Sequence, residues 1–196
     1  MKPDFEKGGG LVPAIVQDDV TGRVLMLGYM NEEALELTRT LGKVTFFSRT
    51  RSRIWTKGET SGDHLLVRDI SLDCDGDTLL IKAVPTGPVC HTGAATCFDE
   101  PLTPAGLLGG LERVIDDRKR SPSADSHTSR LLAGGPKRAA QKFGEEAVEL
   151  VLEAAGDDDD AFKAEAADTL FHFLVLLRAK DMSLSDILEV LAARRR

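Results

Sequence analysis

Three aspartates and a cysteine crowd into one short run, Asp73, Cys74, Asp75 and Asp77. Residues two apart share a face of an extended chain, so an extended reading puts the three carboxylates on one side and Cys74 on the other. Carboxylates that close repel one another, and a hard cation or solvent has to neutralise them. The run is not an EF-hand loop, because Thr78 and Val84 stand where glycine and glutamate are needed. An acidic turn in water is the plain alternative. Cys90 and Cys97 follow, with His91 beside the first. Three thiolates suit Zn2+ with a fourth position left to water, the arrangement of catalytic rather than structural zinc. Three small buried thiols fit the same spacing equally well. The chain has no CxxC pair and no HxE…PCxxC signature of the nucleobase deaminases.

Two further groups carry charge in a pattern. Arg49, Arg51, Arg53 and Lys57 share parity with Trp55, which predicts a cationic strand face carrying one aromatic. The loop that follows, Gly58-Glu59-Thr60-Ser61-Gly62, offers backbone N–H groups and the hydroxyls of Thr60 and Ser61. Such loops bind phosphate, although a charged edge strand protected from aggregation would look similar. In the second half, Lys142, Glu146, Glu149 and Glu153 fall on one helical stripe with Glu145 flanking it, and Glu165, Asp168 and His172 form another. Residues 170–177 are apolar almost all round, so that second helix is expected to be buried, and acids entering it need a cation. ExxE facing ExxD is an oxygen-rich pair suited to Mg2+. Lys137 and Arg138, one turn before Lys142, add positive charge for a phosphate.

Elements to position these residues are written in two grammars. Up to residue 98 the segments are short, alternating and broken by glycine and proline. They predict strands at residues 11–17, 24–27, 43–57, 65–72 and 78–84, with a hairpin turn at 18–22 and a helix at 32–41 capped by Asn31 and stopped by Gly42. After Pro101 the period becomes helical. Thr103-Pro104 starts one helix, residues 119–136 read as a connection, and long helices are expected at 137–155 and 161–180, with a last one capped by Ser183. The acidic run 157–160 reads as a solvated turn, and Arg194–Arg196 as a helix-end counter-charge. The predicted class is α+β, a mainly β domain over residues 1–100 followed by an all-α domain over 101–196.

Composition narrows the function. The chain has 196 residues, with 25 basic and 32 acidic side chains and a net charge of −7. Both halves are net acidic, which argues against nucleic acid as a partner. Residues 1–10 lack the apolar run of a secretory signal and no segment is long and apolar enough for a bilayer, so no membrane partner and a cytoplasmic location are expected. Three cysteines make a poor disulfide framework.

At this point the motifs resemble a known pair of enzymes. Residues 10–18 (GLVPAIVQD), 26–34 (MLGYMNEEA), 48–53, 55–62 (WTKGETSG), 73–78 (DCDGDT) and 90–98 (CHTGAATCF) look like phosphoribosyl-AMP cyclohydrolase. Residues 141–149 (QKFGEEAVE) and 165–177 (EAADTLFHFLVLL) look like phosphoribosyl-ATP pyrophosphohydrolase. In this order they resemble the bifunctional enzyme of histidine biosynthesis over nearly the whole chain. The resemblance implies a homodimer formed through the first domain and a helical bundle of the nucleotide-pyrophosphohydrolase type in the second. It implies zinc at Cys74, Cys90 and Cys97, with Cys74 from one subunit and the other two from its partner. It implies Mg2+ at Asp73, Asp75 and Asp77, and again at Glu146, Glu149, Glu165 and Asp168 with Glu145 assisting. The substrates it implies are phosphoribosyl nucleotides, contacted by Arg49, Arg51, Arg53, Trp55, Lys57, Thr60, Ser61, Lys137 and Lys142, with His91 placed to move protons. Asp63 and Phe171 depart from the commoner Asn and Tyr. The rival readings are a general nucleoside-triphosphate pyrophosphohydrolase with a zinc-bound regulatory or dimerisation module, and a non-enzymatic zinc-stabilised dimer.

Overall fold

Alternation builds the first strand, β1 (Val12–Asp18), whose even-numbered residues are buried while the odd ones are half-exposed. The computed structural model describes residues 2–98 and 101–194. A turn through Gly22, at φ 68°, returns the chain as β2 (Val24–Met30), antiparallel to β1. Asn31 then caps α1 (Glu32–Leu41) by accepting from the Ala34 N–H at 2.9 Å, and the helix stops at Gly42 with φ 64°. A separate hairpin, β3 (Thr45–Ser48) and β4 (Arg53–Thr56), precedes β5 (Leu65–Leu72) and β6 (Leu79–Pro85). The main sheet has the order β2-β1-β6-β5, antiparallel except for β1 on β6. Val12, Val16, Leu35, Phe46, Leu65 and Ile81 form the centre of its core.

Two expectations are corrected here. Residues 43–57 are not one strand: the chain turns at 49–52, with Ser52 at φ 49°, and becomes the β3–β4 hairpin. The common face for Arg49, Arg51, Arg53, Trp55 and Lys57 therefore does not exist. Residues 73–77 are likewise not extended but form the turn joining β5 to β6, bent at Gly76 with φ 82°.

Contacts divide the chain into two compact units, Met1–Leu107 and Leu108–Arg196. The helix α2 (Pro104–Arg120) starts where Thr103-Pro104 predicts it, with the Thr103 hydroxyl accepting from the Gly106 N–H. A short helix, α3 (His127–Ala133), capped by Ser126, occupies what reads in sequence as a connection. The long pair is α4 (Gly135–Glu153) and α5 (Asp159–Ala179), and α6 (Leu184–Ala193) follows with a capping box between Ser183 and Asp186. The acidic run has a role: Asp158 caps α5, accepting from the N–H groups of Asp160 and Ala161 at 3.0 Å each. Ile115, Leu131, Ala139, Leu174 and Val175 make the core. At its edge Arg178 grips Asp116 through two hydrogen bonds of 2.6 Å, tying α5 to α2. Residues 99, 100, 195 and 196 lie outside the described residues, and with them part of the expected domain boundary and of the terminal arginine run. Among the described residues no helix is long and apolar enough to cross a membrane.

Candidate active sites

In the first unit the β3–β4 hairpin and the loop after it face the segment 88–97 across a cavity of about 710 Å3. The hairpin is seated by Phe46, whose ring lies 5.3 Å from that of Trp55. Only glycine fits at position 28, since a Cβ there would meet the Phe46 ring at 2.3 Å. Arg51, Arg53, Trp55, Lys57, Thr60 and Ser61 line one wall, as the sequence reading requires, although from a hairpin and a loop rather than one strand face. Arg49 is not among them: its guanidinium carbon sits 3.8 Å from the centre of the Tyr29 ring, a cation–π contact. Arg53 is held at 2.6 Å by Glu59, whose other oxygen accepts from the Thr56 N–H. The Arg53 hydrogen bond, with the Thr56 N–H, keeps the Glu59 carboxyl below the ordinary carboxylate range. Lys57 is 9% exposed and donates to the Asp63 carbonyl at 3.0 Å. These groups present cations and hydroxyls to an anion in the cavity.

Cys90, His91 and Cys97 line the opposite wall. The loop between the cysteines is closed by backbone bonds, Gly93 N–H to the Cys90 carbonyl and the Cys90 N–H to the Ala94 carbonyl, both 3.0 Å. Hydrogen bonds from Thr92, side chain before backbone, and from the Cys97 thiol hold Cys90 below its usual value. Burial, and the neighbouring Cys90, push Cys97 up. One thiol of the pair is thus primed to ionise, and a soft cation would stabilise both as thiolates. His91 Nδ1 lies 3.7 Å from Cys90 Sγ. Cys74 is exposed on the β5–β6 turn and does not line this cavity. Within one chain, therefore, two of the three cysteines converge and the third does not.

The same turn gathers ligand oxygens of Asp73, Asp75 and Asp77 within 4.8 Å of one another. They come together through a turn instead of an extended face. One Asp73 oxygen accepts from the N–H groups of Gly76, Asp77 and Thr78 at 3.0, 2.9 and 3.1 Å. Partial desolvation opposes ionisation of Asp73, but the N–H groups of Thr78, Asp77 and Gly76 together outweigh it and hold the carboxyl below its ordinary value. A cation already stands at the cluster. Lys7 Nζ is 3.2 Å from Asp75 and 3.8 Å from Asp77. The donor set is hard oxygen and accepts positive charge, so it fits Mg2+.

In the second unit a cluster of the same size is built differently. Oxygens of Glu146 on α4 and of Glu165 and Asp168 on α5 lie within 4.8 Å of one another. Glu146 is 5% exposed, paired with Lys142 one turn earlier and 3.8 Å from His172 Nε2. Glu165 Oε2 is buried with no hydrogen-bond partner. Burial first, then the charges of Glu149, Glu146 and Asp168, push the Glu165 carboxyl above its ordinary value. Three acids converging on a buried, unpartnered oxygen constitute a site that a divalent cation would complete. Glu149 is exposed beside this group, and Glu145 accepts from Gln141 at 2.9 Å, outside the cluster. Lys137 is exposed on the first turn of α4.

The family model described as Phosphoribosyl-AMP cyclohydrolase matches residues 26–99, and that described as Phosphoribosyl-ATP pyrophosphohydrolase matches residues 108–195. A Histidine biosynthesis bifunctional protein HisIE from Xylella fastidiosa is 51% identical over 193 residues, which is 98% of this chain and 93% of the relative. The chain belongs to the HisIE family. HisIE proteins from Escherichia coli O157:H7 and Photobacterium profundum are 50% and 49% identical, covering 97% of this chain in each case and 94% and 95% of the relatives. As a HisIE chain it is a bifunctional hydrolase, with its cyclohydrolase part first and its pyrophosphohydrolase part second. Of the residues singled out in sequence, the HisIE cavity collects all the first-unit substrate candidates except Arg49. Glu59, which fixes Arg53, lies inside the 55–62 motif although only its neighbours are singled out there, and Lys7, which stands at the aspartates, lies in no motif.

Proposed function

We propose that the helical unit hydrolyses the α–β phosphate linkage of phosphoribosyl-ATP, releasing pyrophosphate, and that the β-rich unit then opens the adenine ring of phosphoribosyl-AMP at N1–C6. The observation that carries the first half is the buried, unpartnered Glu165 oxygen beside Glu146 and Asp168. Glu146, Glu165 and Asp168 would hold Mg2+, with Glu149 at the rim, and the ion would neutralise the triphosphate and orient a water for in-line attack. Glu145, the residue before Glu146 in the chain, would assist in steering that water. Lys142 and Lys137, on the same helix, supply positive charge for the departing phosphates.

In the first unit Cys90 and Cys97 would hold zinc together with Cys74 of a second copy, and zinc there would supply a water acidified towards neutral pH. The separation of Cys74 from the other two thiols within one chain supports a homodimer with shared sites. Asp73, Asp75 and Asp77 would hold Mg2+ beside the same centre. Trp55 offers a face for the adenine, Arg51, Lys57, Thr60 and Ser61 meet the phosphates, and His91 beside Cys90 is placed to move the proton that ring opening requires. We take both reactions to be cytoplasmic.

Subunit mixing tests the shared site. Cys74→Ala and Cys97→Ala chains should each fail at ring opening, and a heterodimer of the two should regain activity, because one of its two sites carries neither change. Verified heterodimers without ring-opening activity would overturn the shared site. A coupled assay on phosphoribosyl-ATP that yields pyrophosphate but no ring-opened product from the wild-type chain would overturn the second half.

A further inference from the structure

The segment before β1 is folded as a tight turn and pinned to the acidic turn 73–77. The Asp4 N–H donates to the Gly76 carbonyl at 2.7 Å, the Gly10 N–H closes back on the Phe5 carbonyl at 2.7 Å, and Phe5 packs on the core. Between these anchors Lys7 reaches across to the aspartates, donating to the Asp75 backbone carbonyl at 2.8 Å and to its carboxylate at 3.2 Å, with Asp77 at 3.8 Å. Asp4 helps fix it, its carboxylate accepting from the Lys7 backbone N–H at 3.3 Å. An ammonium and a divalent cation seek the same oxygens, and two positive charges within one carboxylate cluster repel.

We propose that Lys7 is the resident counter-cation of the Asp73–Asp77 turn, a positioning residue that holds this Cys74-bearing turn in shape and competes with a divalent cation for Asp75 and Asp77. The proposal rests on the reading of these aspartates as a Mg2+ site. With no divalent ion bound, Lys7 offsets the repulsion among the carboxylates, and the turn keeps its hydrogen bonds from Asp73 to the N–H groups of residues 76–78. When Mg2+ arrives it displaces the ammonium, which swings into solvent from an exposed position. Metal affinity at this turn is therefore set partly by residue 7, which is 68 positions from Asp75 in the chain.

The test uses Mn2+ as a spectroscopic probe, followed by electron paramagnetic resonance. The full chain carries Glu165→Gln and Asp168→Asn so that the helical cluster is silent. In that background Lys7→Gln should tighten Mn2+ binding by roughly threefold to tenfold, as expected for removing a charge that competes through an exposed ion pair. Lys7→Arg should stay near the unmodified value, and adding Asp75→Asn should erase the gain from Lys7→Gln. If Asp75→Asn weakens Mn2+ binding but Lys7→Gln leaves it unchanged or weaker, competition by Lys7 is wrong while the metal site stands. If Asp75→Asn has no effect on Mn2+ binding, the metal site itself is wrong and the proposal goes with it. Circular dichroism of Lys7→Gln, an exposed substitution, confirms that the folded state is the one being titrated.

Discussion

Both units gather three carboxylates within 4.8 Å, yet they solve the repulsion in opposite ways. The β5–β6 turn keeps its aspartates near water, feeds one of them three backbone N–H groups and brings in Lys7. The α4–α5 pair buries Glu146 and leaves a Glu165 oxygen with no partner. Each cluster has one lysine against it, Lys7 in the first and Lys142 in the second, but only the second leaves a carboxylate oxygen buried without a partner. A cluster satisfied from within can present a neighbouring group, here Cys74, in the absence of metal. A cluster left unsatisfied binds its ion strongly because the empty site is unfavourable.

The sharpest way to break that contrast is to remove a ligand from each unit and follow both reactions. Glu146→Gln should lower pyrophosphate release by at least ~100-fold, since changes only one shell further out already cost roughly 10–100-fold at metal sites. Ring opening should persist. Cys97→Ala should do the reverse, abolishing ring opening and leaving pyrophosphate release intact. A folded single variant that loses both reactions would show that the units are not chemically independent.

Next in size is the side-chain clamp that the helical unit uses where the sheet uses a backbone ladder. Arg178→Met should destabilise that unit by about 1–2 kcal/mol, the low side for a charged bidentate pair because both groups are partly exposed. For a domain of this size that is on the order of 4–16 °C in the melting midpoint, readable by calorimetry. A shift confined to the first unit's transition would misplace the clamp.

A third test uses pH. Burial, against the pull of Glu146 and with Lys142 and His127 assisting, holds the His172 imidazole below its ordinary value of 6.5. The unfolded chain therefore binds a proton more readily than the folded one, so the stability contributed is full above pH ~6.5 and is lost as pH falls through that value towards the folded pKa. Glu165 has the opposite sign, its raised carboxyl favouring the folded state on acidification, but it acts lower, nearer the carboxylate range. The urea midpoint of the helical unit should thus fall between pH 7.5 and 6, and His172→Gln should flatten the slope. A flat wild-type profile would mean that the ring is not held neutral by burial.

The smallest expected effect is the most direct on the contrast itself. In metal-free protein Glu165→Gln should raise the melting midpoint of the helical unit by a few degrees, because it removes an unpaired carboxylate. Asp75→Asn should leave the first unit unchanged or slightly lower, because it loses its Lys7 partner. Equal responses in the two units would mean that their clusters are neutralised alike.

Much of this was legible in the residues. The Asn31 cap and Gly42 stop delimit α1 at 32–41 as expected, and Glu146 of the ExxE meets both acids of the ExxD across α4 and α5, while Glu149 stays exposed beside them. What failed was extended backbone inferred from parity alone. The bend at 49–52 passes through Ser52 at positive φ, without the glycine, proline or asparagine that announces a turn, and so the arginines read as one face. In 73–77 the glycine was present, but the alternation of Asp was the louder signal. The helix α3 was hidden by the glycine and proline around it, although Ser126 caps it in the ordinary way. Lys7 reaches the aspartates through tertiary folding, which no local pattern encodes.

The parallel pairing of β1 with β6 has a consequence for synthesis. Ala14 meets Leu79, so the first strand to leave the ribosome gains β2 almost at once but waits for its second neighbour until β6 is made. At ~5–20 residues per second that interval is roughly 3–13 s. Throughout it one edge of an apolar strand is open to other nascent chains. In the helical unit α2 also waits for α5, with Asp116 and Arg178 62 positions apart, but a helix satisfies its own backbone hydrogen bonds meanwhile and leaves no open strand edge. Demand for chaperones should therefore fall on the first half of the messenger, and slow codons between positions 30 and 79 should lower the yield of folded enzyme more than the same codons placed later.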